Sequence, residues 1–165
     1  MAIIDSILAE IDQESQTTQR VLDRVPEDKL TWKPHPKSHS LGQLAMHIAS
    51  LPGGVAGLAL QDNYELNVAT APQPKDRKEI LEAFTKNIDT AKTNLKTLDD
   101  ARLMSTWNGT RNGKPILSIP RVALIRSILL NHVYHHRGQL SVYLRLLDVP
   151  VPSIYGPSAD ENPFG

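Results

Sequence analysis

Two histidines four residues apart, His132 and His136, are the first residues of this sequence whose types and spacing point to chemistry. On a helix, side chains at that separation share a face with Cβ atoms about 5–6 Å apart, so two imidazoles can converge on one ion. Their stripe reads Ile125, Leu129, His132, His136, Leu140, Tyr143 and Leu147, which keeps three-and-four spacing and places both rings where core side chains belong. His47, between Leu44 and Leu51 on the apolar face of an earlier helical segment, is the candidate third ligand. A single buried His is usually satisfied by a hydrogen bond, and that alternative stays open here. Three buried imidazoles without a common partner would be desolvated three times, which favours a shared ion.

The other histidines are less telling. His135 could replace His136, but its row, Ile128, Asn131, Gln139 and Val142, is more polar and assigns it a supporting role. His35 and His39 fall in the Pro-rich stretch Trp32-Lys33-Pro34-His35-Pro36-Lys37-Ser38-His39 and are expected on the surface. Gln139, Tyr143 and Asp160 are candidate pocket groups, and Arg137 reads as a helix-end or tail ion pair.

Composition narrows the chemistry further. The 165 residues contain six His and no Cys, which removes thiolate-bound zinc, iron–sulfur clusters and a protein thiol nucleophile. Eighteen Lys and Arg balance eighteen Asp and Glu, so no net basic field exists to hold phosphates, and no nucleic acid partner is expected. No His follows a Glu by three residues, which excludes a ferritin-like di-iron site. There is no His-Glu-x-x-His, no Gly-x-Ser-x-Gly, no phosphate loop and no dinucleotide fingerprint. Asp99-Asp100 and Asp160-Glu161 read as helix-end and tail charges.

Neither of two apolar stretches reads as a membrane or export signal. Ile3, Ile4, Ile7, Leu8 and Ile11 are interrupted by Asp5, Glu10, Asp12 and Glu14, unlike a signal peptide. The uncharged stretch from Ser38 to Gln61 contains Gln43, His47, Ser50, Pro52, Gly53 and Gly54, which weaken insertion into hydrocarbon. A cytoplasmic location without a membrane partner is the expectation, and the absence of Cys suits it.

Positioning the three rings requires helices. Periodicity predicts four of them in one domain over residues 1–165. The first spans about 2–23 and stops before Pro26. The second opens at Ser40, where Ser40-x-x-Gln43 fits a capping box, and runs to about Leu60 with a break or kink at Pro52-Gly53-Gly54. The third opens at Asp76, with Leu81, Phe84, Ile88, Ala91, Leu95 and Leu98 as its buried stripe. Turn signals at Trp107-Asn108-Gly109 and Asn112-Gly113-Lys114-Pro115 predict a long loop or small hairpin before the fourth helix. That helix runs from about Pro120 to Leu147 or Asp148, and the prolines beyond it predict an extended tail over 149–165. With no convincing strand pairs, the expected fold class is all-α, an antiparallel four-helix bundle.

With these residues in place, the chain resembles the DinB (damage-inducible) superfamily of four-helix candidate metalloenzymes, which is unrelated to the DNA polymerase sharing that label. The resemblance rests on Trp32-Lys33-Pro34 ahead of Ala45-Met46-His47-Ile48-Ala49, then on His132-Val133-Tyr134-His135-His136-Arg137-Gly138-Gln139-Leu140 leading into Tyr143-Leu144-Arg145. It closes on residues 151–161, Val-Pro-Ser-Ile-Tyr-Gly-Pro-Ser-Ala-Asp-Glu. It implies a divalent metal held by one His on the second helix and the His-x3-His pair on the fourth, carried here onto His47, His132 and His136. Related branches include bacillithiol- and mycothiol-dependent transferases or isomerases and metal-dependent hydrolases, and many members are dimers, so a homodimer is expected.

Three neutral imidazoles leave a 2+ charge uncompensated and one coordination position open, which favours an anionic fourth ligand, either hydroxide or thiolate. Imidazole suits Zn, Ni and Fe alike. Since the chain has no Cys, thiol chemistry requires an external low-molecular-weight thiol as cofactor. The expected function is metal-dependent transfer of that sulfur to a small-molecule electrophile. A metal-dependent hydrolase and a non-catalytic metal-binding stress protein remain as alternatives.

Overall fold

The computed structural model describes residues 2–67 and 70–164; residues 1, 68, 69 and 165 lie outside that description. Four long helical stretches are present: α1 (Ile3–Leu22), α2 (Leu41–Ala59), α3 (Arg77–Leu95), and a final run built from α5 (Arg121–Leu124), a π-helical turn (Ile125–Leu130) and α6 (Asn131–Leu146). A 3-10 turn (Glu27–Lys29) follows α1, and a short α4 (Asp100–Met104) follows α3. The principal packing partner of both α1 and α2 is α3, and α6 also touches both, so the long helices close a ring around the core.

The all-α expectation needs correction. A three-stranded sheet caps one end, with β1 (Asn63–Glu65) parallel to β2 (Thr106–Arg111), and β2 antiparallel to β3 (Lys114–Pro120). The hairpin is the one that Asn112-Gly113 signals: both residues have positive φ, 52° and 73°, the signature of a two-residue turn whose twist matches its strands. Trp107, expected in a turn, instead lies in β2, 1% exposed, with its indole N–H donating to the Leu58 carbonyl at 3.1 Å. The Glu65 carboxylate holds the hairpin tip, accepting from the Asn112 and Gly113 N–H groups and from the Thr110 hydroxyl. Thr110 is the main cause of a Glu65 pKa below the usual carboxylate value.

The helix starts are as their caps dictate. Ser40 Oγ accepts from the Gln43 N–H at 3.1 Å, and Gln43 Oε1 accepts from the Ser40 N–H at 3.0 Å, a reciprocal capping box. Asp76 accepts from the Glu79 N–H at 2.8 Å to open α3. The helix runs to Ala59, close to the expected Leu60, and it is not broken at Pro52-Gly53-Gly54. Proline removes one donor, but Ala49, Gly53, Val55 and Ala56 around it are buried, and that packing outweighs the lost bond. Gly53 is required by the α2–α3 approach, since a Cβ there would stand 2.2 Å from Asn87 Oδ1 and 3.1 Å from Asn87 Cα.

Among the described residues beyond α6 there is no helix, as the prolines imply, and the tail is tied to α1 and α6. Arg145 pairs with Asp160, and Arg20 pairs with Glu161. Asp160 also accepts from the Val151 N–H at 2.8 Å.

Candidate metal centre

His47 projects from the middle of α2, while His132 and His136 project from the first two turns of α6. One candidate ligand atom from each lies within 4.8 Å of the other two. Ring centroids are 4.5 Å apart for His132 and His136, 4.6 Å for His47 and His136, and 5.3 Å for His47 and His132. The structure therefore brings together the three residues that spacing singled out.

Their setting differs from the expected one. The buried row of α6 is Val133, Arg137, Leu140 and Leu144, and the two histidines stand beside it, half-buried rather than in the core. The cause is the π-helical turn immediately upstream, where the Asn131 N–H reaches back five residues to the Arg126 carbonyl. That bonding pattern takes up more residues per turn than an α-helix, so a stripe drawn with constant three-and-four steps goes out of register at His132. Burial half-way is what a site needs: enough desolvation to act on the rings, with one side left open.

All three rings are biased toward the neutral form that binds metal. Burial, reinforced by the neighbouring imidazoles of His136, His132 and His39, lowers the His47 pKa to about 4. Burial also lowers His132, against a hydrogen bond to the Ile128 backbone, and lowers His136, against a hydrogen bond to Gln139. The His136–Gln139 bond is 2.7 Å from Nδ1 to Oε1. A carbonyl oxygen only accepts, so this bond places the proton on Nδ1 and leaves the lone pair on Nε2. The charged groups acting on these three rings are other imidazoles; no carboxylate, Lys or Arg is among them. Neutral nitrogen donors, two with a fixing hydrogen bond, form a set that can hold a divalent ion such as Zn, Ni or Fe.

Two further imidazoles border the triad. His135 is exposed, 5.0 Å from the His136 ring, and lies outside the ligand group, as its polar row indicates. His39, expected on the free surface, is instead half-buried and stacked on His47 at 6.3 Å and 14°. The loop before α2 folds back over the bundle, which spacing within a Pro-rich stretch does not reveal. Tyr143 serves this loop, its hydroxyl donating to the His39 carbonyl at 3.4 Å and its ring meeting Trp32 edge-on at 5.7 Å. Asp160 is occupied by Arg145, as described above.

Arg137 is more than a tail ion pair. It is 1% exposed, and its partner is Glu14 of α1 at 2.7 Å. It also donates to Thr18 Oγ1 at 3.0 Å and to the hydroxyl of Tyr155 in the tail. The sequence signal was its place in the row Val133, Arg137, Leu140, Leu144, legible only once the π turn is known. A wide hollow of about 750 Å³ along the outer face of α3, near Leu81, Lys86 and Asp89, contains none of the histidines.

This fold and this donor set have known relatives. The DinB family model matches residues 2–162, and the chain belongs to the DinB family. An uncharacterized protein of Bacillus subtilis (strain 168), YrdA, is 24% identical over 159 residues, covering 96% of this chain and 91% of that one. Among solved structures, a DinB-like protein from Bacillus cereus ATCC 10987 is similar with TM-score 0.72 and 27% identity, covering 93% of this chain and 98% of its own. A DinB-like protein from Bacillus subtilis has TM-score 0.66 and 17% identity, covering 87% and 92%, a likeness of fold. Among the described residues, no helix is long and apolar enough to cross a membrane.

Proposed function

We propose that this protein is a metal-dependent enzyme that transfers a low-molecular-weight thiol to a small electrophile, with His47, His132 and His136 as the metal ligands. The observation that carries the reading is three neutral imidazoles converging at a half-buried site with no carboxylate acting on them and no Cys anywhere in the chain. His47, His132 and His136 would hold a divalent ion, which would supply Lewis-acid activation of a thiol sulfur. The three neutral rings would leave the charge of such an ion uncompensated, which favours an anionic thiolate as partner. Gln139 keeps the Nδ1 proton of His136 in place so that Nε2 remains the donor. In the overall reaction the thiol sulfur forms a bond to carbon, the carbon–leaving-group bond breaks with its electron pair on the leaving group, and the thiol proton is released to solvent.

The test has two stages. Metal content of untagged protein, by plasma mass spectrometry, is expected at about one ion per chain for wild type and near zero for His132→Ala. Thiol conjugation to an aryl halide is then expected to require both added thiol and metal. Turnover insensitive to thiol sinks the transferase reading, and no uptake of Zn or Ni by the wild type sinks the metal site.

A further inference from the structure

Three of the five clustered imidazoles are used above, and His39 is not. Its backbone is fastened on both sides. The Leu41 N–H donates to the Trp32 carbonyl at 2.9 Å and the Gly42 N–H to the Leu30 carbonyl at 2.8 Å, which closes the loop onto the start of α2. From α6, Tyr143 holds the His39 carbonyl and braces Trp32. The ring turns its face to His47, 14° from parallel, and it stands outside the group whose ligand atoms converge. Among the described residues, neither ring nitrogen of His39 is hydrogen-bonded to another side chain or to the backbone, and neither is sealed from solvent, so the edge of this half-buried ring stays open. A hydrogen-bonding edge held in place beside the triad, where among the described residues no carboxylate acts on the rings, is positioned to meet a group that arrives with the ligand.

Resting on the thiol reading above, we infer that His39 binds a carboxylate carried by the thiol, so that the site selects acidic thiols over neutral ones. Its ring N–H donates to the carboxylate while the sulfur occupies the position facing the triad. Among the described residues no carboxylate acts on the three rings, so a second negative group on the ligand adds attraction instead of repulsion.

The test uses the cobalt(II)-loaded full chain, whose absorption spectrum reports sulfur coordination directly. Two probes are titrated: 2-mercaptoethanol, which is neutral, and 3-mercaptopropionate, which adds a carboxylate. Wild type is expected to bind the acidic thiol about tenfold more tightly, the worth of one charge-assisted hydrogen bond. His39→Ala is expected to retain cobalt and the neutral thiol while losing that preference, and His39→Gln, which keeps a donor, to restore part of it. Equal affinities in wild type, or a preference unchanged in His39→Ala, overturns the assignment of His39 and leaves the thiol reading standing. Cobalt bound with no spectral response to either thiol overturns both.

Discussion

His136 and Arg137 are adjacent in sequence and opposite in circumstance. The guanidinium of Arg137 is enclosed and fully engaged: Glu14 and Thr18 take its hydrogen bonds, and the rings of Tyr134 and Tyr155 lie 5.2 and 5.0 Å from it. Tyr134 in turn donates to Glu10 at 2.9 Å, and burial together with that carboxylate raises its pKa. The imidazole of His136 has one nitrogen on Gln139, and it offers a candidate ligand atom within 4.8 Å of one on each of two more imidazoles. One cluster has matched every charge with an opposite charge; the other gathers like groups that cannot satisfy one another. The first arrangement binds α1, α6 and the tail together, and the second leaves a place for an ion.

The largest effect should come from the matched cluster. Replacing Arg137 by Met strands the Glu14 carboxylate, which is itself mostly buried, and breaking such a pair costs about 3–5 kcal/mol. Thermal denaturation is expected to show Tm lower by roughly 6–20 °C, with metal uptake retained by the protein that stays folded. A Tm within a degree or two of wild type would mean that the contrast between the clusters is wrong.

In the unmatched cluster, His132→Ala should change the metal-free protein little but abolish stabilisation by metal. That stabilisation is about 2.7 kcal/mol at a free metal concentration one hundred times Kd, read as the difference in Tm with and without zinc. Gln139→Ala sharpens the comparison, because it removes only the group that fixes the His136 proton. Metal affinity measured by competition with a chelator is expected to fall about 10–100-fold, with coordination number unchanged.

At neutral pH the smallest effect is that of proton linkage, which grows as the pH falls. His47 has a folded pKa of about 4 against 6.5 in the unfolded chain. Between those values the unfolded chain binds a proton that the folded one refuses, so the metal-free protein loses stability as pH falls from about 6.5 toward 4 and keeps it above 6.5. The lowered pKa values of His132 and His136 act in the same direction. Chemical denaturation across this range should show a shallower slope for His47→Gln than for wild type.

Local chemistry is what the sequence made legible. Ser40 with Gln43, Asp76 with Glu79, and the Asn112-Gly113 turn each specify structure within a few residues, and each forms as read. The triad belongs with them, since His132 and His136 need one helical turn and His47 needs its position on the apolar face of α2. What stayed hidden depends on distant contacts. β1 is three residues long, too short to show alternation, and exists because β2 passes beside it. Pro52 stays helical because neighbouring helices bury its surroundings, and His39 reaches His47 because Trp32 and Tyr143 fold the loop inward. The π turn breaks the constant period on which stripe analysis relies.

That turn also divides the last helix between two interiors. Upstream, Leu124, Ile125, Leu129 and Leu130 belong to the apolar cluster near the sheet; downstream, Val133, Leu140 and Leu144 belong to the cluster beside the histidines. The segment thus works as a joint between the two halves of the helix, and what it stores is a residue count. Arg126, Ser127 and Ile128 on its outer side are exposed; Arg126 pairs with Glu10 of α1 at 2.6 Å, and the identities of the other two are free to drift. Their number is not: loss of any one would swing everything after it by about 100° and carry Val133, Arg137 and both histidines out of their places together.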